Sequence, residues 1–321
     1  MKEQVIAGID VGGTTIKIAF ITEDGEIKKK WEITTNQKEN GKYIMVETAA
    51  SIKQQLESSW ELTAAGVGAP GFIDVEQGFI YEAVNLGWKE YELKKELEAL
   101  LQIPVVADND ANLAAGGEKW KGAGEGARNL LAVTLGTGVG GGIIAGGQII
   151  HGESGMAGEI GHITALKEGG APCNCGKRGC LETVASATGI ARLGLEAVQR
   201  EKKGYLMEKM QSVGTVTAKD VLDGAKLGDP VAEKVVDEAM EHLGLALANL
   251  CNSLNPETIV LGGGVSKAGD FIIDKIKASF QKYAIPKIGR ETKINLAALG
   301  NDAGVIGAAW LAKEFFVKEE G

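Results

Sequence analysis

The chain has 321 residues, of which 44% are hydrophobic and 24% are charged, and this composition is typical of a folded globular protein. Its length is about twice the roughly 150 residues of a common domain, so we expect two lobes. Because 43 acidic side chains outnumber 34 basic ones, the net charge is −9, which argues against nucleic acid as the main partner.

Two further features concern the compartment. No apolar run reaches the roughly 18 residues that a membrane helix requires, and the N-terminal residues lack a signal-peptide pattern. Three of the four cysteines lie close together in the chain, which is typical of metal binding in a reducing compartment. We therefore expect a cytoplasmic protein that does not associate with membranes.

The first part of the chain predicts strands that alternate with helices. The predicted strands cover residues 4–10, 16–22, 26–34, 64–68 and 105–107. Apolar residues at helical spacing predict helices over 42–59 and 89–101, and a further helix starts at about Ala111. A glycine-rich turn over 11–15 joins the first two strands, and Asp24-Gly25 is a hairpin signal after the second.

The second part of the chain restarts this order of elements. Strands are predicted over 130–135, 143–145, 148–150 and 258–261, with glycine turns over 136–142. Helices are predicted over 181–200, 217–255, 268–282 and 304–317. Because a strand, a glycine turn, a strand and a hairpin occur near residue 5 and again near residue 130, we interpret the chain as a structural duplication.

The predicted fold is α/β, with a duplicated strand–hairpin–helix core and two lobes around a cleft. Ligands in such folds bind outside the carboxyl ends of the strands, which is where the glycine turns and several carboxylates fall. We expect a small N-terminal lobe formed by residues 1–115 plus 303–321. The expected large lobe comprises residues 116–302 and includes a metal loop over about 159–182.

Two stretches match the pattern G-x-G-x-x-G, at 66–71 and 136–141. A dinucleotide fingerprint must open a helix after a strand, whereas both stretches continue as strands and turns. No P-loop pattern occurs in the chain. Rossmann and P-loop nucleotide sites are therefore excluded.

The turn that begins at Asp10 is a candidate phosphate site. Gly12 and Gly13 let the backbone approach a ligand closely, and N–H groups of such a turn can point at phosphate oxygens. Thr14 adds a hydroxyl donor, and Asp10 can hold hydrated Mg²⁺. Leu135–Gly138 repeats this arrangement. Either turn alone is equally explained as a tight hairpin, but two at equivalent points of a duplicated fold favour a phosphate clamp.

A cluster of cysteines predicts a metal site. Cys173, Cys175 and Cys180 supply three thiolates, and His162 lies eleven residues upstream of the first. Cys₃His is a closed structural zinc set that leaves no position open for chemistry. The spacing differs from the CxxC of zinc fingers, and buried cysteines or a disulfide are the alternatives. The fourth cysteine, Cys251, lies in an apolar helix and is interpreted as a core residue.

Three polar residues, Asp108, Asn109 and Asp110, follow a buried strand and precede a helix. Helix capping explains one residue of this type but not three in a row at the ligand-binding end of a strand. A carboxylate there is a candidate for chemistry. The histidines His151, at a strand end, and His242, on a helix, are given no functional role.

Six motifs resemble those of one family and occur in its order: DVGGTTIK, VADNDAN, LGTGVGGGI, GEIGH, CNCGKRGCLE and LGGGV. They are similar to the motifs of the ROK family of sugar kinases and repressors. That family belongs to the actin-like ATPase superfamily, whose fold is ribonuclease H-like. The resemblance runs from residue 5 to the C-terminal helix and is strongest to bacterial glucokinases.

The resemblance implies a glycolytic kinase that uses ATP and Mg²⁺ to convert D-glucose to glucose 6-phosphate, with Asp110 as general base. It also implies that His162, Cys173, Cys175 and Cys180 bind Zn²⁺. The implied sugar-binding residues are Gly68, Asn109, Asp110, Glu159, His162 and Glu182. The implied nucleotide-binding residues are Asp10, Gly12, Gly13, Thr14, Lys17, Thr137, Gly138, Gly262, Gly263 and Gly264.

Other functions remain open at this point. The sugar could be another hexose, such as mannose or an N-acetylated amino sugar, and polyphosphate could replace ATP. Sugar-responsive repressors of the same family carry a helix-turn-helix before the kinase-like body, and here only three residues precede the first predicted strand. A non-catalytic sugar sensor is disfavoured by Asp110 and both phosphate turns. Asp302 is the alternative catalytic carboxylate, and the family implies a homodimer or higher homo-oligomer.

Overall fold

The computed structural model describes residues 2–316. The strands are β1 (Glu3–Val11), β2 (Thr15–Ile21), β3 (Ile27–Thr34), β4 (Trp60–Ala69), β5 (Phe72–Asp74), β6 (Phe79–Ala83), β7 (Trp88–Tyr91), β8 (Val105–Asn109), β9 (Leu130–Leu135), β10 (Val139–Ala145), β11 (Gln148–Ile149), β12 (Thr258–Gly262) and β13 (Lys293–Leu296). The helices are α1 (Lys38–Gly41), α2 (Ile44–Gln55), α3 (Leu93–Leu101), α4 (Asp110–Lys121), α5 (Glu182–Ala185), α6 (Ala187–Glu201), α7 (Tyr205–Val213), α8 (Ala218–Lys226), α9 (Pro230–Leu254), α10 (Asp270–Tyr283), α11 (Pro286–Glu291) and α12 (Ala303–Phe316).

Two predicted segment ends fall outside the described residues. Met1 and residues 317–321, which include the predicted end of the last helix and of the small lobe, lie outside the described residues. None of the helices within residues 2–316 is long and apolar enough to cross a membrane.

The first five-stranded sheet has the order β3-β2-β1-β4-β8. β1 pairs antiparallel with β2 and parallel with β4, and β4 pairs parallel with β8. Because β1 lies in the middle of the sheet, its residues from Val5 to Ile9 are all buried. This position explains why the strand is a continuous apolar run rather than an alternating one.

The second five-stranded sheet repeats this order, as β11-β10-β9-β12-β13. β9 takes the place of β1, and the hairpin of β10 and β11 takes that of β2 and β3. The parallel strands β12 and β13 correspond to β4 and β8. The repetition confirms the predicted α/β fold with a duplicated core.

Two compact units can be distinguished. Unit 1 contains the described residues of Met1–Ala127, Gly142–Gly158 and Ala298–Gly321. Unit 2 contains Arg128–Gly141 and Glu159–Ala297. The chain leaves unit 2 for unit 1 within β10. The lobe boundaries expected near residues 115 and 302 stay predictions.

Glycines let α12 pack directly on the sheet of unit 1. A Cβ atom on Gly8 would lie 2.0 Å from the carbonyl oxygen of Val305. A Cβ atom on Gly66 would lie 1.8 Å from the carbonyl oxygen of Ala308. Both distances are far below van der Waals contact, so α12 can take this place only over glycine. These two glycines therefore serve packing rather than ligand binding.

A three-stranded antiparallel sheet of β5, β6 and β7 was not predicted. Its strand β7 pairs with β6, with Tyr91 opposite Ile80. The helix predicted over 89–101 is therefore wrong in its first residues, and α3 begins at Leu93. Pairing with a distant strand overrides the local helical spacing here.

The helix predicted over 217–255 consists of two helices, α8 and α9. The chain turns at Gly228, whose φ is +82°. Asp229 then caps the first N–H groups of α9, and Pro230 occupies its first turn, where proline is favoured. These three residues end one helix and start the next.

The second sheet also differs from its prediction at two strands. β10 begins at Val139, so the strand expected over 143–145 is longer and the glycine turn shorter. The edge strand β13 was not predicted, because its four residues carry no clear alternation of apolar and polar side chains.

Candidate active site

The carboxyl ends of three neighbouring parallel strands bring together predicted residues of unit 1. Asp10 on β1 lies opposite Gly68 on β4, and Gly68 lies opposite Asp108 on β8. Asn109 ends β8, and Asp110 begins α4. The five residues therefore share one edge of the sheet, where α/β folds bind their ligands.

Asp10 is a half-buried carboxylate at this edge of the sheet. Burial raises the pKa of its carboxyl, and Lys17, with Nζ at 3.6 Å from Oδ2, acts in the opposite direction. Lys17 Nζ also donates a hydrogen bond to the carbonyl oxygen of Asn301 at 3.3 Å. A Cβ atom on Gly304, in the first turn of α12, would lie 2.8 Å from Asp10 Cγ, so only glycine leaves room for the carboxylate.

The turn between β1 and β2 is held by hydrogen bonds to its carbonyl groups. The hydroxyl of Thr35 donates to the carbonyl oxygen of Gly12 at 2.7 Å. The side-chain amide of Gln37 donates to the carbonyl oxygen of Gly13. The N–H of Gly12 donates to the carbonyl oxygen of Thr15 at 3.0 Å. These bonds fix the backbone of the turn, as a phosphate-binding turn requires.

At the start of α4, Asn109 caps the helix and Asp110 carries an exposed carboxylate. Asn109 is the N-cap, and its Oδ1 accepts a hydrogen bond from the N–H of Ala111 at 2.9 Å. Asp110 is exposed, and its Oδ1 lies 2.8 Å from the same N–H group. Helix capping therefore accounts for Asn109 without requiring a carboxylate at Asp110.

Asp108 is fully buried and accepts several hydrogen bonds. Its Oδ1 accepts from the N–H of Asn109 at 2.7 Å and from the side-chain amide of Asn112 at 3.0 Å. Its Oδ2 lies 2.7 Å from Nε2 of His151. Sequence reasoning gave His151 no role, and no local signal connects two residues that are 43 positions apart.

The alternative carboxylate, Asp302, is engaged elsewhere in unit 1. Both of its oxygens accept hydrogen bonds from Nζ of Lys30, at 2.8 and 2.7 Å. This ion pair gives Asp302 a structural partner next to the start of α12. Asp110 remains the stronger candidate for chemistry.

The second glycine turn, in unit 2, is held by the start of α6. The N–H of Ala187 donates to the carbonyl oxygen of Gly136 at 2.8 Å, and the hydroxyl of Thr188 donates to that of Thr137 at 2.7 Å. The N–H of Gly136 donates to the carbonyl oxygen of Gly138 at 3.0 Å. Within residues 2–316, and apart from Gly136 and its two chain neighbours, no heavy atom lies within 4 Å of the place where a Cβ on Gly136 would stand, so this face of the turn is open to a ligand.

A cavity of about 400 Å³ lies in unit 2 and includes Ala187 in its wall. The lining residues are Ala187, Thr217, Ala218, Lys219, Leu222, Asp223, Lys226, Gly264, Val265, Lys267 and Ala268. Apolar side chains with a few charged ones suit a flat ligand that carries charge at one end. The sequence predicted Gly264 at a ligand site but missed the contribution of α8, which carries no motif.

The glycines that follow β12 allow close packing at the end of this strand. Gly263 has a φ of +88°, and a Cβ atom there would lie 2.5 Å from the carbonyl oxygen of Leu135. Only glycine fits both restrictions. The segment Gly262–Gly264 is thereby seated against the end of β9, which leads into the second turn.

The predicted metal ligands are brought together in unit 2. One ligand atom from each of His162, Cys173, Cys175 and Cys180 lies within 4.8 Å of all the others. The Sγ atoms of Cys175 and Cys180 are 3.6 Å apart, and Cys173 Sγ is 3.5 Å from His162 Nδ1. Two thiolates on a tetrahedral zinc ion, at Zn–S of about 2.3 Å, are separated by roughly 3.8 Å. The donor set and its spacing fit zinc.

Two carboxylates lie against this cluster. Glu159 Oε2 is 3.6 Å from Nε2 of His162, the ring nitrogen that does not face Cys173. Glu182, the first residue of α5, accepts a hydrogen bond from the thiol of Cys173 at 3.1 Å. The cluster therefore joins the two segments that carry Glu159 and Glu182.

Comparison with known proteins places the whole chain in one group. The ROK family model matches residues 6–315. The chain is 55% identical to a glucokinase of Halalkalibacterium halodurans over 98% of this chain and 96% of that protein. It is 35% identical to a glucokinase of Thermotoga maritima over 98% and 99%, respectively. A ROK family glucokinase of Streptomyces griseus, solved with glucose and AMPPNP, has a TM-score of 0.77 and 33% identity over 97% of this chain and 99% of that chain.

Proposed function

The chain belongs to the ROK family, and we propose that it is an ATP-dependent glucokinase that converts D-glucose to glucose 6-phosphate. The observation that carries this function is the pair of residues at the start of α4. Asn109 caps the helix and Asp110 presents an exposed carboxylate at the strand edge. Near-complete matches to glucokinases from three organisms support the reaction and its sugar.

Asp110 is the general base. Its carboxylate accepts the proton of the 6-hydroxyl while O6 forms a bond to the γ-phosphorus of ATP. The bond between the γ-phosphorus and the oxygen that bridges it to the β-phosphate breaks, and ADP leaves. Phosphoryl transfer of this kind needs position, charge neutralisation and a proton acceptor.

The sugar is bound by groups that can accept or donate hydrogen bonds to hydroxyls. We assign this role to Gly68, Asn109, Asp110, Glu159, His162 and Glu182. Carboxylates accept from sugar hydroxyls, and an imidazole that binds metal through one nitrogen offers the other as a donor. Glu159 and Glu182 both lie against the cysteine cluster, which supports a shared task for them.

The nucleotide is bound by the glycine turns and the cavity of unit 2. The open face of Gly136 and the fixed backbone of Thr137 and Gly138 suit phosphate oxygens. The cavity that includes Gly264 suits the adenine and ribose. From unit 1, we assign phosphate binding to the turn residues Gly12, Gly13 and Thr14 and to Lys17.

Two metal ions complete the proposal. Mg²⁺, when bound, neutralises phosphate charge, and Asp10 is the carboxylate that would hold it through water. Zn²⁺ would be held by His162, Cys173, Cys175 and Cys180, where it stabilises the loop that carries the sugar-binding residues. A closed Cys₃His set gives this ion no direct part in phosphoryl transfer.

The setting of the enzyme follows from composition and family. We propose that it works in the cytoplasm as a homodimer or higher homo-oligomer, without binding nucleic acid. The net charge of −9 supports the last point, because DNA binding draws on basic surface.

A coupled assay of ADP release tests the function. The purified protein is given ATP and Mg²⁺ with glucose, mannose, N-acetylmannosamine or N-acetylglucosamine in turn, and glucose again with polyphosphate in place of ATP. We expect the highest kcat/KM with glucose and ATP. A higher kcat/KM for another hexose would contradict the sugar assignment, and no activity with any of them would contradict the kinase.

A further inference from the structure

A hydrogen-bonded pair outside the proposed substrate contacts, Asp108 and His151, lies next to the start of α4. Asp108 is fully buried, whereas His151 is half-buried. Nε2 of His151 lies 2.7 Å from Oδ2 of Asp108. The hydrogen bond to Asp108 raises the pKa of His151, although burial acts against this shift. A buried carboxylate is costly unless it is paired, so the contact is needed where it stands.

The two carboxylate oxygens of Asp108 have different hydrogen-bond partners. Oδ1 accepts hydrogen bonds from the N–H of Asn109 and from the side chain of Asn112, which both belong to the β8–α4 junction. Oδ2 faces His151. The orientation of the carboxylate is therefore set from one side by the junction and from the other by the imidazole.

His151 is itself held by its own loop within unit 1. Its carbonyl oxygen accepts a hydrogen bond from the N–H of Ala157 at 2.9 Å. The N–H of Ile150, just before it, donates to the carbonyl oxygen of Ile143 at 2.8 Å. A Cβ atom on Gly155 would lie 2.9 Å from the carbonyl oxygen of Ile73, so the loop is also tightly packed. His151 therefore approaches Asp108 from a fixed backbone.

We propose that His151 is a positioning residue for phosphoryl transfer, which holds the carboxylate of Asp108 and through it the backbone of Asn109 and Asp110. This inference rests on the proposed kinase function. Without the imidazole, the buried Oδ2 of Asp108 has lost its hydrogen-bond partner. Because a buried unpaired carboxylate oxygen is costly, the side chain turns toward water. The hydrogen bond from the N–H of Asn109 to Oδ1 of Asp108 is then distorted. The backbone of Asn109 shifts, and Asp110 moves with it.

The consequence concerns turnover more than folding. A displacement of about 1 Å at a reacting group costs roughly a hundredfold in rate, because the reacting atoms must start at near-contact distance. A smaller shift of the general base lowers the rate by a smaller factor. The proposed phosphate-binding turn of unit 1 and the nucleotide groups of unit 2 do not include this contact, so the KM for ATP stays close to that of the parent.

Two variants of His151 separate positioning from mere stability. His151→Ala removes the donor, and we expect kcat with glucose to fall by about 10- to 100-fold, with the KM for ATP within about threefold of the parent. His151→Gln keeps an amide donor on a side chain of similar reach, and we expect it to recover most of the lost kcat. Melting temperatures are measured for both.

A matched control comes from the other end of α4. Glu118 is a buried carboxylate whose Oε2 accepts from the N–H groups of Ala123 and Ala298 and whose Oε1 accepts from that of Leu299. Glu118→Gln weakens a comparable set of bonds far from Asp110 along the helix. We expect it to lower the melting temperature while kcat changes by less than about twofold.

Each result decides the inference. His151→Ala with parent kcat, or His151→Gln as impaired as His151→Ala, overturns it. If His151→Ala does not fold, the isosteric Asp108→Asn takes its place, and parent kcat in that variant overturns the inference equally. A parent protein that phosphorylates no hexose overturns the proposed function and this inference together, whereas an active parent with unchanged variants overturns this inference alone.

Discussion

The two five-stranded sheets repeat one strand order but differ in the residues near the carboxyl ends of their parallel strands. In unit 1, the penultimate residues of β1 and β8 are carboxylates, Asp10 and Asp108, and a third carboxylate, Asp110, begins α4. In unit 2, the penultimate residues of the equivalent strands β9, β12 and β13 are Thr134, Leu261 and Asn295. The strand ends of unit 2 are uncharged, and this unit contains a cavity instead. One topology thus provides equivalent positions, and the residues at those positions decide which chemistry each copy performs.

The loops of the two units are also stabilised differently. In unit 1, the contact between buried Asp108 and half-buried His151 holds the loop after β11 to the sheet edge. In unit 2, the clustered side chains of His162, Cys173, Cys175 and Cys180 lie in the loop between Glu159 and Glu182 and would hold it through a metal ion. The first device fixes a single backbone junction, and the second fixes an irregular segment that has little secondary structure of its own. We expect loss of the contact between Asp108 and His151 to lower turnover, and loss of the metal ligands to lower stability and glucose binding.

The largest expected effect lies in unit 1. Asp110→Asn keeps the shape of the side chain but cannot accept the sugar proton. Because a positioned base contributes about 10²- to 10⁴-fold, we expect kcat to fall by at least about a hundredfold. Asn109 is the N-cap, so the melting temperature and glucose binding should change little. Steady-state kinetics, calorimetry with glucose and thermal melting check the three parts.

A second prediction concerns the metal loop of unit 2. We expect about one zinc per chain by elemental analysis, because Cys₃His sets of this geometry favour zinc. Cys175→Ala should lose the metal, lower the melting temperature and weaken glucose binding by about tenfold, since ligand segments would lose their support.

Cys251→Ala is the control for this prediction, because Cys251 is buried in α9 and lies outside the cluster. It should keep its zinc and its glucose affinity. Fresh protein without zinc, or a Cys175→Ala variant with the glucose affinity of the parent, would refute the assigned role of the loop.

A third prediction compares the two glycine turns. A Cβ on Gly12 would lie 2.9 Å from the carbonyl oxygen of Thr15, so Gly12→Val strains its turn as well as blocking phosphate. Gly136→Ala meets no atom within 4 Å and therefore tests ligand approach alone. We expect Gly136→Ala to raise the KM for ATP by about tenfold, which is 1.4 kcal/mol, with normal melting. An unchanged KM would show that phosphate does not approach this face.

The smallest expected effect is a pH dependence of stability at His151. The folded-state pKa of His151 is raised above its ordinary value of 6.5 by the hydrogen bond to Asp108. Its stabilisation is therefore fully present below about pH 6.5 and is lost as the pH rises through the raised pKa. The difference in unfolding free energy between the parent and His151→Gln should shrink over this range. A difference that stays constant or grows with pH would contradict the ionic pair.

Features that depend on a local sequence pattern were predicted, whereas features that depend on contacts between distant residues were not. The turn at Gly12 and the run from Asp108 to Asp110 were predicted correctly as strand-end features, because each is a local pattern after an apolar strand. The contact between Asp108 and His151 was missed, since it joins residues that are far apart in the chain. The strands β5 to β7 were missed for the same reason, because their pairing and not their own pattern makes them strands.

Turnover and binding, measured side by side on one variant from each unit, test the central claim most directly. The claim assigns the proton transfer to Asp110 of unit 1 and assigns phosphate approach to the open face of Gly136 in unit 2, in addition to the phosphate turn of unit 1. With saturating glucose and ATP, Asp110→Asn should turn over at least about a hundredfold more slowly than the parent, with both ligands still bound, whereas Gly136→Ala should approach the parent kcat once its weaker ATP binding is overcome. An Asp110→Asn protein that melts normally, binds glucose and phosphorylates it at close to the parent rate would contradict the account.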